Sequence, residues 1–267
     1  MRRIKYRGKT VALTGASSGI GYSLAKRLIK KYDCLVIGIA RGLERLGLVK
    51  NELGEQFIPY QMDVSKKEEW DALYTYLEKE NKKIDILINC AGVLPKFKAV
   101  EKTEISEVES VLNINLMSEV YSFKSLGSLI NKGGAIINIS SIAALCPFGG
   151  VSTYSLSKSS ALAFSQALGA ELKDISVSVA LPGFVKTDIM KNQGASEKDF
   201  KLYKRFSASP DKTARKILFR AGFRKSRIIA GTDAHLLKVL YTLFPNRAPK
   251  IVTGLLRKSG LELFSQI

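Results

Sequence analysis

An apolar run from Lys9 to Thr14 ends in Gly15-Ala16-Ser17-Ser18-Gly19-Ile20-Gly21, after which Leu24, Ala25, Leu28 and Ile29 recur at helical spacing. A strand, a glycine turn and a helix in that order leave few folds open. The glycines let backbone approach a ligand closely, and the helix N-terminus offers unpaired N–H groups and a positive dipole end to an anion such as a pyrophosphate. The spacing is Gly-x-x-x-Gly-x-Gly, not the Gly-x-Gly-x-x-Gly of the commonest dinucleotide turn. A lone glycine turn often only caps a helix. Its place at the start of a β-α-β succession gives it weight.

That succession continues down the chain. Strands are predicted over 34–40, 57–62, 84–88, 134–140, 177–181 and 227–230, separated by segments of helical periodicity. The continuous apolar run from Ile84 to Ile88 fits a strand buried on both faces. Ser65 with Glu68, and Ser106 with Glu109, read as capping boxes, and Ser209-Pro210 reads as an N-cap followed by a first-turn proline. The expected fold class is α/β, a Rossmann-type doubly wound parallel sheet of about seven strands with its site at the strands' C-terminal ends. Residues 1–232 form the expected catalytic domain, with 188–207, long and polar, as a substrate lid and 233–267 as a basic amphipathic extension.

Tyr154 and Lys158 lie four residues apart in a run, 153–172, that reads as helix, so both project from one face. A free phenol has a pKa near 10, and a neighbouring ammonium favours the phenolate, so Lys158 is expected to bring Tyr154 toward working pH as a proton donor or acceptor. Ser141, on the loop leaving a strand, is placed to hydrogen-bond the same substrate oxygen. A Tyr-x-x-x-Lys pair by itself is commonly a half-buried ring beside a solvated charge. Here it follows the glycine turn, the strand end Asn89-Cys90-Ala91-Gly92 and Ser141 in one order.

With Thr14 to Gly21, Asn89 to Gly92, Asn115, Ser141, Tyr154, Lys158 and Pro182-Gly183, the chain resembles the short-chain dehydrogenase/reductase family. The resemblance runs from Thr14 to Asp188 and does not extend well to the remainder. It implies a catalytic set of Asn115, Ser141, Tyr154 and Lys158, with Asn115 perturbing its helix and holding a water against the lysine; Asn113 is the competing asparagine. It implies cofactor contacts from Gly15, Ser17, Ser18, Gly19, Ile20, Gly21, Asp63, Val64, Asn89, Ala91, Gly92, Tyr154, Lys158, Pro182, Gly183, Val185 and Thr187. Cys90 stands where the family more usually has asparagine, so a sheet-stabilising contact is expected to be lost. A dimer or tetramer is the family expectation.

The second strand ends in Ala40-Arg41, where an NAD-selective enzyme would carry an acid for the ribose hydroxyls. Arg41, with Arg45, suits a 2′-phosphate instead, which favours NADP(H) over NAD(H). Leu94, Ala143, Leu145, Phe148, Phe184, Ile189 and Met190 are expected to flank the substrate, and being mostly apolar they suggest a hydrophobic ketone or alcohol.

The net charge of +18 sits at the ends: residues 201–267 carry 15 Lys/Arg against 3 Asp/Glu, and the first ten residues add five more positive charges. In the last segment apolar residues repeat at helical spacing from Ala234 to Phe244 and again from Ile251 to Leu256, flanked by Lys250, Arg257 and Lys258. Such a stripe with a basic rim belongs either on an anionic membrane surface or packed on its own domain or a second subunit. Nothing resembles a helix-turn-helix, zinc or stacking motif, so nucleic acid is disfavoured as a partner. Cys34, Cys90 and Cys146 have no metal-ligand spacing and read as reduced core thiols, and no apolar signal segment follows the basic start, so the expected location is cytoplasmic, with a peripheral place at the inner membrane surface as the variant. His235 has no partner residues in the sequence pattern and reads as structural. The expected activity is NADP(H)-dependent interconversion of a carbonyl and a secondary alcohol; the alternative is a cofactor-binding scaffold that grips an anionic membrane or nucleic acid through its basic last quarter.

Overall fold

The computed structural model describes residues 3–189, 197, 203 and 207–259. Within these, β1 (Thr10–Thr14), β2 (Leu35–Ala40), β3 (Phe57–Gln61), β4 (Ile84–Asn89), β5 (Ile130–Ile139), β6 (Ser176–Pro182) and β7 (Arg227–Ala230) form one parallel sheet in the order β3-β2-β1-β4-β5-β6-β7. The order reverses direction between β1 and β4, the point where an open parallel sheet leaves a crevice at its C-terminal edge.

Strand alternation assigns the two faces. Val11, Leu13, Val36, Ile86, Ile88 and Ile137 point into one core with α1 (Gly19–Tyr32), α2 (Leu43–Leu53) and α7 (Pro210–Gly222). Ala12, Ile37, Ile39, Leu87 and Ile136 point into the other, with α3 (Lys67–Lys79), α5 (Ser118–Leu126) and α6 (Ser152–Glu171). Burial on both faces is why the central strands read as unbroken apolar runs. A third cluster, away from the sheet, joins Phe97, Phe148, Val151 and Tyr203 to α8 (Thr232–Leu243) and α9 (Ala248–Lys258). The C-terminal helices therefore pack their inner faces on the domain.

Several local expectations are corrected. Ser65 does not cap α3: its N–H and hydroxyl both donate to the Asp63 carboxylate, at 3.0 and 2.8 Å, so the hydroxyl is already committed when the helix starts at Lys67. α4 (Ile105–Leu112) begins one residue earlier than expected, after Glu104, which leaves Ser106 inside the first turn rather than at the cap. Strand β5 begins at Ile130, not Gly134, because Ile130 still pairs with Ile84 and a register shift between Ile84 and Ile86 absorbs the intervening residues. Ser209 caps α7 as expected, accepting from the Lys212 N–H at 3.2 Å, with Pro210 in the first turn. The expected lid, 188–207, lies outside the described residues apart from Asp188, Ile189, Glu197, Tyr203 and Ser207, and Met190 with it.

Candidate active site

A cavity of about 450 Å³ runs along the C-terminal edge of the sheet, from Gly15, Ser18, Gly19, Ile20, Gly21, Arg41 and Arg45 to Ser141, Tyr154 and Lys158. The glycine turn is built for close approach. A Cβ at Gly21 would fall 2.1 Å from the Gly15 carbonyl oxygen, and Gly15 and Gly19 both hold left-handed backbone at φ 67° and 55°. Only glycine takes those positions without strain. Ser18 is the N-cap residue of α1, its side chain makes no capping bond, and no acid sits in the first turn, so the helix end is electropositive. Thr14 ties this turn to β4, its Oγ1 accepting from the N–H groups of Cys90 and Ala91 at 2.9 and 3.0 Å.

Asn115 occupies a π-helical turn, Asn113–Met117, inserted between α4 and α5. Its Oδ1 accepts from the Val93 N–H at 2.8 Å, and its Nδ2 donates to the Val93 carbonyl at 2.9 Å and to Ser157 Oγ at 3.0 Å. The residue is 1 % exposed, whereas Asn113 faces solvent. A Cβ at Gly92 would lie 3.2 Å from Asn115 Oδ1 and 3.3 Å from Lys158 Nζ, so glycine there lets the loop seat between them.

Ser141 has extended backbone and caps the short 3-10 turn Ile142–Ala144, accepting from the Ala143 N–H at 3.2 Å. It also hydrogen-bonds Tyr154, and that bond draws the phenol's pKa down. Burial outweighs it and pushes Tyr154 up to about 12. The expectation that Lys158 lowers the phenol is not met by this arrangement. Lys158 Nζ donates to the Ile139 carbonyl at 3.0 Å and stands 5.9 Å from the Tyr154 ring centroid. Lys158, itself buried, has its pKa pushed down by desolvation, against which Glu119 and Cys90 act. Glu119 was not anticipated. It is 3 % exposed, its Oε2 has no partner among the described residues, and burial raises its carboxyl to about 8 despite the nearby lysine.

Of the residues expected at the cofactor, Ala91, Gly92, Pro182, Gly183, Val185 and Thr187 line the cavity. Asn89 does not: its strand parity sends the side chain into the sheet interior, where Nδ2 donates to Asn138 Oδ1 at 2.9 Å and Oδ1 is left without a partner among the described residues. That orphaned oxygen accompanies Cys90, whose thiol packs against the apolar core and is pushed to about 12 by burial. Ser17, Asp63 and Val64 also lie off the cavity wall. Asp63 is occupied by Ser65, and Val64 is packed in the core under Trp70, which donates to its carbonyl at 2.9 Å.

Leu94, Ala143, Phe148, Phe184 and Ile189 line the far half of the cavity, joined by Phe97, Val151, Tyr203 and Leu237, which the sequence did not single out. Leu145 turns away and packs with Leu162, Val179 and Leu181. Asp233, also missed, fixes the floor: its Oδ2 accepts from the Phe184 N–H at 2.6 Å beside Gly183. Its partner lies 49 residues away, so no local pattern marks it. His235 meets Lys216 at 3.2 Å on the outside of the molecule. The three cysteines are free, and no cluster of metal-ligating side chains exists among the described residues.

A dinucleotide-type glycine turn at the sheet's switch point and a Ser-Tyr-Lys group facing the same cavity, its lysine buried, define a nicotinamide-dependent α/β oxidoreductase. The family model described as short chain dehydrogenase matches residues 9–198, and the chain belongs to that family. It is 34 % identical over 188 residues to a human 3-oxoacyl-[acyl-carrier-protein] reductase, covering 69 % of this chain and 78 % of that protein. It is 31 % identical over 215 residues to carbonyl reductase family member 4 of Xenopus laevis, covering 79 % and 90 %. In fold it superposes on a short chain dehydrogenase/reductase from Burkholderia phymatum in complex with NAD with a TM-score of 0.82 at 19 % identity, covering 91 % of this chain and 95 % of that one. The chain is accordingly a carbonyl/alcohol oxidoreductase using a nicotinamide nucleotide.

Proposed function

We propose that the protein is an NADP(H)-dependent reductase or dehydrogenase that interconverts an apolar, lipid-like carbonyl compound and its secondary alcohol. The observation that carries this reading is a single cavity with cations at one end, the Ser141–Tyr154 pair midway and an apolar wall at the other. The glycine cradle from Gly15 to Gly21, which added Cβ atoms would fill, fits a pyrophosphate on the α1 N-terminus. Arg41 and Arg45 are exposed at the cavity's edge, and neither forms an ion pair among the described residues, which suits a 2′-phosphate. Gly92, Pro182, Gly183, Val185 and Thr187 would hold the nicotinamide half, and that ring, when bound, supplies or accepts the hydride.

The chain's own groups do the rest. Tyr154 gives its proton to, or takes it from, the substrate oxygen, and its high pKa keeps it protonated and ready to donate in the reductive direction. Ser141 donates a second hydrogen bond that orients that oxygen and stabilises developing charge. Lys158 holds positive charge beneath the site, and Asn115 fixes the loop at Val93 against which the lysine sits. Phe97, Phe148, Val151, Phe184 and Leu237 exclude water from the carbonyl's apolar substituents.

The test is NADPH oxidation, with NADH as control, over ketones from short polar to long-chain and polycyclic, with the native chain and Tyr154→Phe. Turnover favouring NADPH and the apolar ketones, and lowered about a thousandfold in the variant, is the expected result. Preference for small polar ketones would refute the substrate class. Silence across the panel with NADPH still bound would return the chain to a cofactor-binding role.

A further inference from the structure

The two C-terminal helices, α8 and α9, each have an apolar outer face as well as an apolar inner one. Inside, Leu237, Leu240 and Tyr241 of α8 and Ala248, Val252 and Leu256 of α9 pack on the third cluster. Outside, Leu236 is 71 % exposed, Val239 53 %, Leu243 65 %, Phe244 49 %, Ile251 41 % and Leu255 63 %. Positions 236, 239 and 243 share one side of α8 by helical spacing, as 251 and 255 do on α9. Large apolar side chains gathered this way on adjoining helices, rather than scattered singly, mark a contact site.

The charges around that face have one sign. Between Ala234 and Ser259 the sequence contains Lys238, Arg247, Lys250, Arg257 and Lys258 and no Asp or Glu. Lys216 adds a cation against His235 at the α8 start, and Arg220 lies close enough to help depress that imidazole's pKa. We propose that the outer face of α8 and α9 docks on an anionic lipid bilayer, with the exposed aliphatics inserted at the headgroup boundary and the basic residues against acidic headgroups. Helices of this kind lie in the interface plane. No helix among the described residues is long and apolar enough to cross a membrane.

Charge decides against the other occupants. A symmetric pair of copies meeting through this face would bring the same cations opposite each other with no acid between them. Nucleic acid would answer the charge, but exposed leucine, valine and isoleucine side chains give it neither stacking surface nor hydrogen-bond donors. A bilayer with acidic headgroups satisfies both halves of the surface.

The experiment is flotation of the full chain with vesicles of phosphatidylcholine alone and of phosphatidylcholine with phosphatidylglycerol, at low and high salt. Two variants accompany it, Leu236→Ser/Leu243→Ser and Lys238→Glu/Lys250→Glu. None of these four side chains lines the cavity. Circular dichroism and melting temperature check that both variants fold; should the apolar pair melt early, the charge pair alone carries the test. Each basic residue near an anionic surface is worth about a fivefold gain in partitioning, so the charge variant should bind at least tenfold more weakly. The apolar variant should lose most of its flotation, and high salt should weaken the native chain's. Failure of the native chain to float with anionic vesicles, equal flotation with both vesicle types, or folded variants that float like it would overturn the proposal. So would sedimentation velocity showing self-association that the apolar variant abolishes while flotation persists, or duplex DNA binding lost in that variant while flotation persists.

Discussion

Replacing Asn115 by alanine should separate a structural asparagine from one merely tolerated in a helix. The native side chain makes three hydrogen bonds, at 2.8 and 2.9 Å to the Val93 backbone and 3.0 Å to Ser157. At about 1 kcal/mol net for each, their loss costs about 3 kcal/mol. Alanine recovers about 0.5 kcal/mol through its better helix propensity, leaving a deficit of roughly 2–3 kcal/mol. For a domain of this size that corresponds to a melting temperature lowered by roughly 5–10 °C. The control is Asn113→Ala, in the same π turn but facing solvent, which should change stability by less than about 0.5 kcal/mol. Calorimetry of both variants decides it. If Asn115→Ala melts within a degree or two of the native chain, or Asn113→Ala costs as much, the account of the turn is wrong.

Two further substitutions probe the electrostatics. Glu119→Gln removes a carboxyl whose native pKa, about 8, stands well above the 4.5 of a free glutamate. Between those values the native state holds a proton the unfolded chain releases, so native stability falls as pH rises through the window. The urea midpoint of the glutamine variant should therefore gain on that of the native chain between pH values near the two ends of that window, and parallel profiles would refute the assignment. If Arg41 reads a 2′-phosphate as proposed, Arg41→Asp should turn the enzyme toward NADH: losing a charge-assisted contact costs NADPH about 10- to 100-fold in kcat/KM, with NADH spared. Equal loss for both nucleotides would show that Arg41 does not read the 2′-phosphate.

What the sequence made legible was local. The glycine turn, the helical spacing of Tyr154 and Lys158 and the run from Ile84 to Ile88 each carry their geometry within a few residues, and β7 falls on Arg227–Ala230 as expected. What it hid depends on distance along the chain or on a competing contact. Glu119 lies four residues after Asn115 and eight after Val111, on the helix face that buries both, but the spacing gives no sign of what covers a carboxylate there. Its carboxyl is buried near Lys158, which comes from α6, an element that no local pattern ties to it. Ser65 fails as a cap for a different reason, since Asp63 competes for its hydroxyl two residues earlier. The raised phenol follows from burial by residues distant in sequence, which a four-residue spacing cannot weigh.

Helix α8 shows how these long-range contacts bear on chemistry. Asp233 at its start accepts from the Phe184 N–H, so the helix's first turn is fastened to the Pro182–Gly183 turn in the cavity wall. One turn on, Leu237 is itself part of that wall, while its neighbour Leu236 is bare. A lateral shift of α8 would therefore move both the Pro182–Gly183 turn, through Asp233, and the apolar wall, through Leu237. Substitutions at Leu236 or Leu243 change the surface without touching either link. Asp233→Asn would weaken the fastening by replacing a charge-assisted bond with a neutral one of about half the strength. The two kinds of variant thus report on different things, the face the protein shows and the wall it holds, although Asp233 and Leu236 lie three residues apart on one helix.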